Sequence, residues 1–191
     1  MALDADLEAV RTWASVEPLS FPVVIDRDLA VAELYGFVNV PASVWIDEGG
    51  RIVRPPDQAL GDDRFRAFTG VDSAVHHNLL RAWVKDGVRD LDDASVRAHL
   101  QIPTDDVQLA RLHRRIAVDL LDRNDSEGAR EHLVSAETLA PNDWTIRRGN
   151  LPLKGDDPFG PKFFDFVAEW NEAGRPGYQL GTGRDGTTTV A

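Results

Sequence analysis

FPVVIDRDLAVAELYGFVNVPASVWIDEGGRIVR, residues 21–54, carries the clearest structural signal in the sequence. Phe21, Pro22, Val23, Val24 and Ile25 form a short apolar run rich in β-branched side chains, the composition of a strand covered on both faces. Asp26 and Asp28 follow, either of which can cap a helix, and Leu29, Ala32, Leu34 and Tyr35 supply a short helical stripe. Gly36 ends it, because a left-handed residue costs least without a Cβ. Residues 43–47 and 51–53 read as two more strands, and Glu48, Gly49 and Gly50 between them provide the positive-φ positions of a tight hairpin. Strand, helix, then hairpin is an α/β pattern with an antiparallel sheet edge.

This order, with Val40 and Pro41 in the loop ahead of residues 43–47, resembles the second half of a thioredoxin-like domain of the redoxin and thiol–disulfide oxidoreductase group. The resemblance implies one sheet holding residues 21–25, 43–47 and 51–53. It also implies a cis Val40–Pro41 bond, with the Val40 backbone presented to an extended thiol substrate. A cis X–Pro bond costs only about 0.5–1 kcal/mol over trans, which a fold can impose locally. The alternative is an ordinary trans proline opening an edge strand.

The preceding residues fit the same pattern. Leu7, Val10, Trp13, Ala14 and Val16 recur at three- and four-residue spacing, an amphipathic helix ended by Pro18, and residues 1–4 resemble the end of the family's preceding strand. In that family cysteine or selenocysteine near the start of the domain does the chemistry, and this sequence has no cysteine. The expectation is a partial domain whose active-site strand and helix were either lost or lie ahead of a coding start set too late, as happens when a selenocysteine codon is read as a stop. Residues 21–25 would then have an unpaired edge, and the apolar groups around Trp13, Val23 and Trp45 would lack cover.

The absence of cysteine excludes disulfides, thiolate zinc sites and thiol catalysis within these residues. A net charge of −11 repels phosphate backbones and anionic lipid, so neither nucleic acid nor membrane is an expected partner. No run approaches the roughly 18 apolar residues of a membrane span. No basic-then-apolar leader heads the sequence, so a cytoplasmic setting is the default, which an upstream start would reopen. The acidic pairs Asp62-Asp63, Asp92-Asp93, Asp105-Asp106 and Asp156-Asp157 sit where loops meet helix starts, at the positive end of the helix dipole.

Beyond Pro55 and Pro56, residues 57–72 lack periodicity and read as a linker, and helices fill 73–146. Val75, Leu79, Leu80, Trp83 and Val84 make one stripe, stopped by Gly87; Leu109, Leu112, Ile116, Ala117, Leu120 and Leu121 make a second, opened by Thr104. Ala129, Leu133, Ala136 and Ala140 follow Asp125 and Ser126 as a third. The last two helices, about residues 107–141, resemble a single tetratricopeptide unit, with Ala117, Ala129 and Ala136 at its small positions and Leu120 and Leu133 at its large ones. The motif's aromatic and Leu-Gly pair are missing, and an ordinary helix hairpin is the alternative.

Residues 147–180 are rich in aromatic and turn residues. Phe163, Phe164, Phe166, Val167 and Trp170 lie on a helix ended by Gly174, which either docks on the helix hairpin or offers an aromatic groove to a partner. Residues 181–191 read as a frayed tail, since the glycines at 181, 183 and 186 have neither the strand nor the Gly-Lys-Ser/Thr ending of a phosphate loop. His76, His77, His99, His113 and His132 show no ligand spacing, and no Gly-x-Ser-x-Gly elbow is present, so no metal or other cofactor is expected.

The resulting expectation is α/β: a partial thioredoxin-like fold, a mixed sheet with helices, over residues 1–56, plus a C-terminal α-helical extension. The resemblance implies thiol–disulfide or peroxide chemistry for the complete protein, a redox-inactive chain as written, and Val40 and Pro41 as the substrate-aligning residues. The competing function is a non-catalytic interaction module that binds a protein partner on the helical region.

Overall fold

The computed structural model describes residues 1–3, 6–16, 19–27, 29–59, 61–64, 66–69, 71–100, 102–174 and 176. The helix end at Pro18, the cap candidate Asp28 and the tail at 181–191 lie outside them. Helix α1, Leu7–Val16, and helix α2, Ala30–Tyr35, precede strand β1, Ala42–Ile46, and strand β2, Ile52–Gln58. One-turn helix α3, Arg66–Thr69, leads to α4, Ser73–Asp86, and α5, Asp93–His99. The long pair α6, Asp105–Asp122, and α7, Ser126–Leu139, is followed by short α8, Trp144–Arg147, and α9, Asn150–Leu153, and by α10, Pro161–Glu172. The chain is therefore mixed α/β at the coarse level.

Helix starts follow the carboxylates and hydroxyls of the sequence. Asp72, Asp92, Thr104, Asp125 and Asp143 each accept a hydrogen bond from an N–H of the first turn of α4, α5, α6, α7 and α8. Helix α2 is capped from further away: buried Asp26 accepts from the Ala32 N–H at 2.8 Å, while Leu29 takes the N-cap position with φ 57°. Gly36, with φ 74°, closes the other end of α2, the left-handed stop that glycine takes without a Cβ clash. Leu34, counted in the apolar stripe of this helix, is 80 % exposed. Six residues make fewer than two turns, and only Ala32 on them is buried.

Among the described residues the sheet is a single antiparallel pair, β1 with β2. Residues 21–25, expected as a third strand, make one parallel bridge instead, Ile25 with Ala2. Ala2 donates to the Val24 carbonyl and accepts from the Asp26 N–H, both at 2.9 Å. Pro22 has no N–H to offer, and strand propensity without a continuous partner does not make a strand. The hairpin itself forms as expected, with Gly50 at φ 76° in its turn.

The domain edge expected at Pro56 falls inside strand β2. β2 runs through both prolines to Gln58, and residues 66–69 are helical, so the segment read as a linker from 57 is partly regular structure. Ser43 faces Asp57 and Trp45 faces Arg54, which places one residue of β1 opposite two prolines of β2. The strand keeps both prolines because they sit in this bulge, where no ladder donor is required of them.

The core lies in the helical half. Trp144, Leu151, Phe163, Phe166 and Trp170 form one buried cluster, with Trp144 edge-on to Phe163, Phe166 and Trp170 at 5.9, 5.2 and 5.1 Å. Two more clusters join α6 to α7: Ala110, Ala136 and Ala140 with Ile146, and Ala117 with Ala129 and Leu133. Methyl side chains at these facing positions let the two helices approach closely. Helix α10 docks through Trp144 and Leu151 of α8 and α9 rather than on the α6–α7 hairpin itself. Toward the N-terminus, Trp13, Val16, Phe21, Val24 and Leu34 are exposed.

Candidate functional site

Val40 and Pro41 stand where α2 gives way to β1, and the bond between them is cis. Gly36 reverses the chain after α2, and the Phe37 N–H donates back to the Ala32 carbonyl at 2.8 Å. Asn39 Oδ1 accepts from the Val40 N–H at 2.9 Å, and the Pro41 carbonyl accepts from the Ala59 N–H at 3.0 Å. The Val40 side chain is exposed.

The loop is held from the far end of the chain. Val38 packs on the Trp144–Phe163–Phe166–Trp170 cluster. The Arg148 guanidinium donates to Asn39 Oδ1 at 3.3 Å and lies over the rings of Phe159 and Phe163, 4.5 and 5.2 Å from their centroids. Glu33 on α2 is ion-paired with Arg115 on α6. Burial pushes the Glu33 carboxyl above its ordinary range, against the opposing pull of Arg115, Arg111 and Arg114. Burial likewise lowers the Arg114 guanidinium. The loop and the helix before it are thus fastened by side chains of the helical region, and Phe159, exposed beside them, extends the same surface.

A second cluster lies at the hairpin. Trp45 is buried, not uncovered as the partial-domain reading expected, because Trp83 of α4 stacks on it at 5.2 Å and the Arg54 guanidinium lies over its ring at 5.1 Å. Arg54 is itself buried between Asp57, at 2.8 Å, and Asp90. Burial works to lower this guanidinium, but the hydrogen bonds to Asp90 and Asp57 outweigh it and hold it above its ordinary value. His76 reaches the Ser43 hydroxyl through Nε2 at 3.4 Å and packs edge-on to Trp45. Burial, then the charge of Arg54, keeps its imidazole below the ordinary value.

Sequence spacing missed two of these assemblies. Arg54, Asp57 and Asp90 come together across 36 residues, and His113 and His132 meet across 19. Neither assembly lies within a single helix or strand, where periodicity could flag it. Among the described residues no group of three or more histidines and carboxylates could hold a metal ion, and no helix is long and apolar enough to cross a membrane. In comparisons with known proteins, no family model, curated protein or solved structure matches the chain.

Proposed function

We propose that residues 1–58 are the substrate-aligning part of a thioredoxin-like redox protein, which carries out thiol–disulfide or peroxide chemistry with a thiolate or selenolate supplied from outside these residues. In a disulfide exchange that group attacks one sulfur of the substrate, the S–S bond breaks, and the departing sulfur leaves as thiolate. The backbone at Val40 aligns the extended substrate. The observation that carries the reading is the chain order: a parallel pairing of Ala2 with Ile25, then α2, the Val40–Pro41 loop and the antiparallel hairpin. The exposed apolar side chains of Trp13, Phe21 and Val24 add support, since a further sheet-and-helix layer would cover them.

The 191-residue chain should not accelerate reduction of insulin disulfides by dithiothreitol, because it has no cysteine to form the mixed disulfide. A chain extended by any in-frame upstream codons that supply cysteine or selenocysteine should be active in the same assay. If the upstream codons supply neither, the redox reading fails.

One observation favours a second reading, a non-catalytic interaction module. Leu109, Leu112 and Ile116 form an outward stripe along α6, each more than two-fifths exposed. An extended chain that is redox-silent but is retained by a partner through α6 would select this reading.

A further inference from the structure

His113 on α6 and His132 on α7 face each other across the hairpin with their Nδ1 atoms 2.7 Å apart. Their rings are tilted by 41°, with centroids 4.9 Å apart. A hydrogen bond between two such atoms needs one proton: one ring is an Nδ1–H donor and the other an Nδ1 acceptor. We propose that this pair is a binding site for a divalent late first-row metal ion such as Zn²⁺, which takes the place of the shared proton and cross-links α6 to α7.

Neutral imidazole nitrogen is a preferred ligand of these ions, at about 2.0–2.1 Å. Two such bonds at a tetrahedral angle set the nitrogens about 3.3–3.4 Å apart, so the rings need to part by roughly 0.6 Å. Both side chains are half-buried. The displaced Nδ1 proton moves to the vacant Nε2 of the same ring through solvent, so no net proton is released from the neutral pair. Water fills the remaining coordination positions, since no third protein ligand stands by among the described residues. A net charge of −11 raises the local concentration of cations around the whole chain.

The test is titration of Zn²⁺ into the chelator-treated full chain, followed by calorimetry and thermal melting. One ion per chain should bind and raise the melting temperature. His113→Asn and His132→Asn should each weaken binding about tenfold or more, since loss even of a supporting residue around a metal costs that much. A variant lacking His76, His77 and His99 should bind as the parent does. Nitrogen-15 spectra of the unaltered chain decide the matter even if a variant fails to fold: Zn²⁺ should shift Nδ1 of both His113 and His132. Absence of saturable binding, single variants that bind as tightly as the parent, or shifts confined to other histidines would overturn the proposal.

Discussion

Arg54 shows how one buried charge organises its surroundings. Its guanidinium touches Asp57 and Asp90 and covers Trp45, so removing a single carboxylate leaves a charge in the interior with half its compensation. Asp90→Asn should therefore lower stability by about 1–3 kcal/mol in urea unfolding. A loss within experimental error would mean that Asp57 alone satisfies Arg54. His76 makes a pH-dependent prediction in the same cluster. Its pKa is depressed in the folded state, so the unfolded chain takes up the proton first as pH falls. The contribution of neutral His76 is complete above about pH 6.5 and declines below it until the folded ring also protonates. His76→Gln should flatten that part of the stability curve, below about pH 6.5. If the two proteins lose stability in parallel over this window, the acid sensitivity lies elsewhere.

The α6–α7 pair rests on alanine. Ala110, Ala117 and Ala136 have no exposed surface at all, and the large side chains Leu109, Leu112 and Ile116 lie on the outer side of α6. Enlarging a facing position should therefore cost more than truncating an outer one. Ala117→Leu should destabilise by about 1–3 kcal/mol through overpacking, whereas Leu112→Ala should stay within about 0.5 kcal/mol of the parent. Chemical denaturation of the two variants checks the contrast, and its reversal would mean that the buried face of α6 has been misassigned. The hairpin is an element of another kind. Two prolines fit inside β2 only because its register slips opposite them, a compensation made between strands.

Across the whole molecule the segment from Glu33 to Asn39 meets the helical region. Val38 rests on the aromatic cluster, and Arg148 and Arg115 reach Asn39 and Glu33. Trp144→Ala should cost about 3–5 kcal/mol, as loss of a buried aromatic does. It should also speed amide exchange at residues 37–40, more than 100 residues away in sequence. Unchanged exchange there would show that the loop holds its shape without the helical region. Such coupling is invisible to local patterns: the composition change after Pro56 marked a linker and a helical extension, while the contacts cross that boundary.

The features legible in the sequence alone were local. Caps at Asp92, Thr104 and Asp125, stops at Gly36 and Gly87, the hairpin turn and the alanine face of α7 are all set by side-chain chemistry within a few residues. The absence of cysteine settled what chemistry these residues cannot perform. Tertiary structure decided whatever needed a distant partner. The run at 21–25 has strand composition yet pairs at a single bridge, because pairing depends on a neighbour that composition does not specify. His113 and His132, 19 residues apart, became neighbours only when α7 folded back along α6. Burial of Trp45 and Arg54 likewise waited on α4 and Asp90, since desolvation and charge pairing act through space and not along the chain.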